Sequence, residues 1–400
     1  MWEQIRSNQT RSVILVVMMG LLLALLGYFL GLYFFDNGIG GLVIALIVWA
    51  IMNLVAYFQG DNILLAMSRA QKIGPDDHKR LYNVVEEMKI ASGLEKVPDI
   101  YIIDDPALNA FATGRDPNRA TIAVTSGLLQ KLNRDELQGV VGHEMSHIKN
   151  RDVLLMAMCS VLLGTIVILA WYASRFLLFG GMGRTRRSSS SGGGSGQLII
   201  LVVAIFLMIL APIMAQLIYL AVSRKREYLA DASSALYTRY PEGLASALEK
   251  IGASPEQLKS ANKATAPMYI INPFRKEGMA ASGLTSTHPP ISERIRILRS
   301  MASASFADYT QAYQQVRHTS KGVIPAAAIT DAEPITLRAA KPEAPEEREE
   351  VHRARETSNL LWNLSNYNTI TCKCGTKLRL PPRFKEPEIR CPHCGRISPV

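Results

Sequence analysis

Four blocks of this chain are almost wholly apolar, and polar stretches separate them. The first covers residues 12–35 and the second 39–58, with Asp36-Asn37-Gly38 between them. Each is close to the roughly 20 residues a helix needs to cross a bilayer, so the pair predicts a transmembrane hairpin. The first block is too long for a signal-peptide core and has no small-residue cleavage site after it. Residues 153–172 and 198–222 form the third and fourth blocks and predict two further spans. A Ser/Gly tract between them reads as a flexible loop.

The polar stretches show shorter periods. Leu81, Val84, Val85 and Met88 mark an amphipathic helix after Gly74-Pro75, and residues 243–251 and 291–301 have helical periodicity too. Residues 99–103, 110–112 and 121–125 read as strands, the last two joined by Gly-Arg-Asp-Pro-Asn. Asn133 followed by Glu136 forms a capping box for a helix striped by Leu137, Val140, Val141 and Met145. The expected class is a membrane protein, mainly α with a small β-sheet: four transmembrane helices, an α+β soluble domain and a small C-terminal module. The expected units are an N-terminal hairpin (1–59), a first soluble half (60–152), a second hairpin (153–222), a second soluble half (223–322), a Pro/Ala/Glu-rich linker (323–365) and a cysteine module (366–400).

Charge bears on orientation. The net charge is +10, yet there is no basic stripe with interleaved aromatics, so nucleic acid is not an expected partner. Arg6, Arg11, Arg69 and Lys72 flank the open end of the first hairpin while its turn has no Lys or Arg, which predicts a cytoplasmic N-terminus and soluble part in the inner membrane. Arg175, Arg184, Arg186 and Arg187 lie in the loop of the second pair and oppose that rule, so this pair either follows the first or does not fully span.

The chemistry centres on His143-Glu144-Met145-Ser146-His147. Residues four apart share one helical face, so both imidazoles can reach one ion, while Glu144 stands at its flank, able to take a proton from a water there. Gly139 and Gly142 suggest close approach by another backbone or a substrate. Such a zinc site wants a third protein ligand. Glu227, just after the fourth apolar block, can supply it, and Asp231, four residues on, can orient a ligand imidazole. A hairpin between the two ligand sets returns the chain to the face it left, so the site should lie near the cytoplasmic membrane surface. An exposed edge strand there would hold an extended substrate by main-chain hydrogen bonds.

Over residues 10–300 the chain resembles the HtpX-like membrane zinc metallopeptidases, relatives of the CAAX prenyl endopeptidases. The resemblance rests on Asn109-Ala110-Phe111-Ala112-Thr113-Gly114, on residues 143–152, on Glu227-Tyr228-Leu229-Ala230-Asp231, and on Thr287-His288-Pro289-Pro290 with Arg294. It implies a gluzincin-type site with His143, His147 and Glu227 on zinc, Glu144 as general base, and cleavage of misfolded or damaged membrane proteins in quality control. His288 reads either as a donor to the oxyanion or as packing at a helix start, Arg294 as a partner of Asp231 or of substrate, and Asn109 as lining the substrate strand or as a turn residue. The alternatives are a CAAX-type prenyl-peptide protease and a non-catalytic scaffold acting through its C-terminal module.

That module carries Cys372-x-Cys374 and Cys391-x-x-Cys394, which reads as a zinc ribbon with a closed four-cysteine site, although the first pair has one intervening residue where two are usual. Cys159, inside the third apolar block, reads as packing. Two zinc ions are expected, one catalytic and one structural. The expected partners are the bilayer, membrane-protein or unfolded-protein substrates, and a regulatory or homo-oligomeric partner that restrains activity.

Overall fold

The computed structural model describes residues 2–153, 156, 171, 175, 202, 205, 206, 209, 213, 224–259, 269–271, 288–324, 329, 335–339 and 346–400. Most of the third and fourth apolar blocks therefore lies outside the described residues.

Helices α1 (Trp2–Phe35) and α2 (Gly38–Met67) form the predicted hairpin, and both are long and apolar enough to cross a membrane. The turn is built by Asp36, at φ 51°, and by Asn37, whose side chain caps α2 by accepting from the Gly40 N–H. Glycines hold the two helices in contact. A Cβ on Gly41 would stand 2.2 Å from the Gly27 carbonyl oxygen and 2.6 Å from the Gly31 Cα. Close approach of this kind replaces hydrophobic driving force between helices in lipid. The expected hairpin boundary at residue 59 is too early. Helix α2 runs on to Met67, where Leu64 and Leu65 pack among Ile103, Phe111, Ala123 and Tyr269.

A four-stranded sheet follows, in the order β1-β2-β4-β3: β1 (Gln71–Ile73), β2 (Asp99–Ile103), β3 (Ala110–Gly114) and β4 (Ala120–Thr125). Strands β2 and β4 are parallel, with Ile102 opposite Val124, and the outer pairs are antiparallel. Strand β3 is an edge. Helix α3 (Lys79–Ser92), the short α4 (Ser126–Lys131) and α5 (Arg134–Lys149) pack with the sheet. Further on come α6 (residues 224–238), α7 (Pro241–Ala253), α8 (Ile291–Arg299), α9 (Phe306–Arg317) and α10 (Glu346–Leu364).

Helix α5 is the centre of the core. Asn133 caps it through the predicted box: its side chain accepts from the Glu136 N–H while Glu136 accepts from the Asn133 N–H. Leu137, Val140, Val141, Met145 and Ile148 are fully buried against α3, the sheet, α6 and α7. The two glycines serve backbone approach. A Cβ on Gly139 would meet the Leu244 backbone nitrogen at 2.6 Å, and one on Gly142 would stand 3.1 Å from Ser234 Oγ. Ser234 Oγ donates to the Gly139 carbonyl at 2.7 Å, which docks α6 on α5.

The segment read as a linker differs from that expectation. Residues 346–364 form α10, which lies on α4 with Lys131 paired to Glu350 at 2.7 Å and Arg353 Nε donating to the Gln130 carbonyl at 3.2 Å. Leu360, Leu361 and Leu364 join the main core from its last turns. A charged first half hides this short apolar end from a composition-based reading. Strands β5 (Asn368–Thr371), β6 (Lys377–Leu380), β7 (Glu388–Arg390) and β8 (Ile397–Pro399) form two hairpins that carry the C-terminal cysteines in their turns.

Candidate active site

Helix α5 carries His143, Glu144 and His147 on its last turns, and α6 brings Glu227 against them. All four are buried, at 0–5 % exposure. His143 Nε2 and His147 Nε2 are 3.3 Å apart, and they lie 3.6 and 3.5 Å from the two carboxylate oxygens of Glu227. Tetrahedral zinc with donors at about 2.0–2.1 Å would separate neighbouring donor atoms by about 3.3–3.4 Å. The three groups are thus spaced to hold one such ion.

The remaining imidazole nitrogens are spoken for. His143 Nδ1 is 3.0 Å from Asp231 Oδ1 and His147 Nδ1 is 3.2 Å from Asp152 Oδ2. An ionised carboxylate only accepts, so each Nδ1 carries the hydrogen and each Nε2 lone pair is left for a metal. Arg294 grips Asp231 from behind with two bonds, Nε to Oδ2 at 2.8 Å and Nη2 to Oδ1 at 2.6 Å, and its Nη1 donates to the Ile270 carbonyl at 3.2 Å.

Burial alone would push the His143 imidazole down, but hydrogen bonds to Asp231 and Glu227 outweigh it and hold the metal-free group up at about 9. Burial would raise the Asp231 and Glu227 carboxyls. Arg294 and His143 reverse this for Asp231, and His288 and His143 for Glu227, so both stay below the usual carboxylate range. Glu144 differs: burial raises it, and the neighbouring histidines only partly compensate. A carboxylate that takes up a proton more readily than usual suits a base.

The sequence-derived candidates mostly converge. His288 Nδ1 is 3.1 Å from Glu227 Oε2, so its ring stands at the cluster. Arg294 takes the Asp231 partnership of its two readings. Asn109 is buried with its side chain already engaged: Nδ2 donates to the Ile271 carbonyl at 3.1 Å and Oδ1 accepts from the Ala110 N–H at 3.1 Å. It anchors residues 269–271 beside β3. On that edge the Ala110 carbonyl accepts from the Ile270 N–H at 3.0 Å.

Two residues that the sequence did not single out also belong to the site. Asp152 and Arg226 are buried, with Asp152 Oδ1 3.5 Å from Arg226 Nε. The signal available was proximity: Asp152 follows His147 by five residues and Arg226 precedes Glu227 by one. What the spacing does not show is the break in the helix at Arg151, at φ 58°.

The four C-terminal cysteines also converge. Cys372 and Cys394 sulfurs are 3.6 Å apart, Cys374 and Cys391 sulfurs 3.8 Å, and the whole set lies within 4.8 Å. Zinc bound by thiolates at about 2.3 Å separates the sulfurs by about 3.8 Å, whereas a disulfide needs about 2.05 Å. The geometry fits a metal. Gly375 and Gly395, at φ 87° and 71°, supply the left-handed turns that fold each cysteine pair back.

A metal-binding His-Glu-x-x-His helix completed by a carboxylate from another helix, in a chain with bilayer-length apolar helices, defines a membrane metalloendopeptidase. Residues 75–302 match the model of Peptidase family M48, and the chain belongs to that family, as an HtpX-like member. It is 43% identical over 301 residues to "Protease HtpX homolog" of Caldanaerobacter subterraneus subsp. tengcongensis, covering 75% of this chain and 98% of that protein. Against the protein of the same description from Dictyoglomus turgidum it is 44% identical over 300 residues, covering 75% of this chain and 94% of the relative. The crystal structure of S. mikatae Ste24p is a looser likeness, with a TM-score of 0.39 and 19% identity over 74% of this chain and 66% of that one.

Proposed function

We propose that this membrane metallopeptidase is a zinc endopeptidase that cuts misfolded or damaged membrane proteins in segments lying next to the cytoplasmic face of the bilayer. His143, His147 and Glu227 would hold the ion, with Asp231 orienting His143 and Arg294 holding Asp231. Zinc held there supplies a Lewis acid that polarises the scissile carbonyl and acidifies water. Glu144 takes the proton of the attacking water on its carboxylate and delivers it to the leaving amine. His288 donates toward the oxyanion. Asn109 acts by holding the edge strand in place. The Cys372, Cys374, Cys391 and Cys394 module takes a structural zinc, and residues 153–222 insert a second pair of spans between the two soluble halves.

One observation carries the substrate reading. Arg115, directly after β3, lies 6.0 Å over the Tyr57 ring and 5.8 Å over the Phe58 ring. Those two aromatics end the apolar part of α2, before Gln59-Gly60-Asp61, as aromatics do at a bilayer surface. Ala112 is three residues from Arg115, about 10 Å along a strand. Ile270 occupies the Ala110 end of the edge, so substrate would enter at the Gly114 end, beside Arg115 and the α2 aromatics. A chain emerging from lipid would meet the base within a few residues.

The test uses the whole protein in vesicles with single-span substrates whose cleavable segment is moved stepwise from the span. Cleavage should concentrate within roughly ten residues of the membrane boundary. A rate indifferent to that distance contradicts the proposal, and preferential cleavage of a prenylated C-terminal peptide favours the CAAX-type alternative.

A further inference from the structure

We propose that Asp152 and Arg226 are positioning residues for His147, and that their ion pair clasps the two ends of the 153–222 insertion to the metal site. This rests on the reading of His143, His147 and Glu227 as zinc ligands.

The clasp depends on a break in the chain. Helix α5 ends at Lys149 with Asn150 as its C-cap, and Arg151 follows at φ 58°, in the left-handed region that a side chain other than glycine rarely adopts. Asp152 then opens the next helical stretch. In an unbroken helix a residue five positions on would point about 140° away from His147. The turn at Arg151 swings Asp152 back, so that Oδ2 stands 3.2 Å from His147 Nδ1. At the first turn of a new helix the carboxylate also faces the favourable end of the dipole.

The far oxygen of the same carboxylate, Oδ1, is 3.5 Å from Arg226 Nε, with side-chain exposures of 1% and 4%. Each candidate ligand imidazole is therefore backed by a carboxylate, and each carboxylate by a guanidinium: His143 by Asp231 and Arg294, His147 by Asp152 and Arg226. Arg226, Glu227 and Asp231 lie within six residues of one helix, so α6 supplies a ligand and one member of each relay. The relays differ in where they anchor. Arg294 comes from α8 in the soluble part. Asp152 and Arg226 instead flank the insertion, one just before residue 153 and one just after residue 222. Drawing the insertion's two ends apart would pull Asp152 from Arg226 and release the His147 ring. The imidazole would then be free to rotate or change tautomer, and its Nε2 would be lost to the metal.

The experiment uses the full-length protein in detergent. Zinc per chain, retention of the catalytic zinc against a graded chelator, thermal stability of the metal-free form, and kcat and KM on a peptide are measured for Asp152→Ala, Asp152→Asn, Arg226→Gln and Arg226→Lys, with His147→Ala as reference. Asp152→Ala and Arg226→Gln should release the catalytic zinc at roughly 10–100-fold lower chelator strength, with the ribbon zinc unaffected. Their kcat should fall with little change in KM, and Arg226→Lys should restore most of the retention. If Asp152→Ala does not fold, Asp152→Asn, of the same shape, gives the same comparison. The proposal is overturned if catalytic-zinc retention in Asp152→Asn and Arg226→Gln stays within about twofold of the unmodified protein while only metal-free stability drops. His147→Ala separates the two readings: it should lose one of two zincs, and if it keeps both, the ligand assignment fails rather than the clasp.

Discussion

Replacing Arg294 by methionine removes a guanidinium that is fully buried and leaves its partners behind. Asp231, also at 0% exposure, loses bonds of 2.8 and 2.6 Å, and the Ile270 carbonyl loses one of 3.2 Å. Breaking a buried pair from one side costs about 3–5 kcal/mol, because the remaining carboxylate has been taken out of water without compensation. The stranded carbonyl adds about 1–3 kcal/mol. His143 Nδ1 still donates to Asp231 at 3.0 Å, which keeps the total near the lower end, about 4 kcal/mol. For a domain of this size each kcal/mol moves Tm by about 2–4 °C, so a fall of about 8–16 °C is expected. Thermal unfolding of Arg294→Met, Asp231→Asn and the double variant closes the cycle. Neutralising Asp231 as well should recover about 2 kcal/mol, since the carboxylate that loses both its guanidinium bonds then carries no charge. A single-variant loss below about 1 kcal/mol, or strictly additive singles, would refute the reasoning.

Three further outcomes follow from local geometry. Gly41→Leu should separate α1 from α2 and abolish disulfide cross-linking between cysteines placed across the hairpin, because its Cβ already meets Gly27 oxygen at 2.2 Å, whereas Gly40→Leu, which meets only the Asn37 side chain at 3.0 Å, should leave the cross-link intact. His78 caps α3 by accepting the Leu81 N–H on Nδ1 at 3.2 Å, and burial holds its imidazole below the usual histidine range. Its contribution is therefore complete above the unfolded value of about 6.5 and is lost as pH falls below it. Tm should drop between pH 7.5 and 5.5 by more in the unmodified protein than in His78→Asn, and equal drops would count against the cap. Cys374→Ser should cost one zinc per chain while the catalytic zinc stays. An unchanged zinc count would contradict the four-sulfur site.

The catalytic helix was legible because its signals are local. The Asn133–Glu136 box, the apolar stripe and the His-x-x-x-His spacing all lie within a few turns, and each appears as read. Strands β2, β3 and β4 were legible for the same reason. What escaped depends on contacts distant in sequence or on single backbone dihedrals. Strand β1 is three residues long and exists because it pairs with β2, with Lys72 opposite Tyr101. Helix α10 owes its position to Leu360, Leu361 and Leu364 reaching a core formed two hundred residues earlier. The role of Asp152 hangs on the φ of Arg151, which no residue pattern announces. Asn109 looked like a substrate contact from its place beside an edge strand, but the strand it helps to fix has a partner, Tyr269-Ile270-Ile271, whose short β-branched run says nothing by itself of what it lies against 160 residues away.

The most direct test of the central claim compares Glu144→Gln with the unmodified full-length chain, measuring bound zinc and cleavage of an unfolded membrane protein in the same preparations. The account predicts two zincs in both and a loss of cleavage by roughly 10²–10⁴-fold in the variant, the contribution of a positioned general base. Cleavage by Glu144→Gln at near the unmodified rate would contradict it.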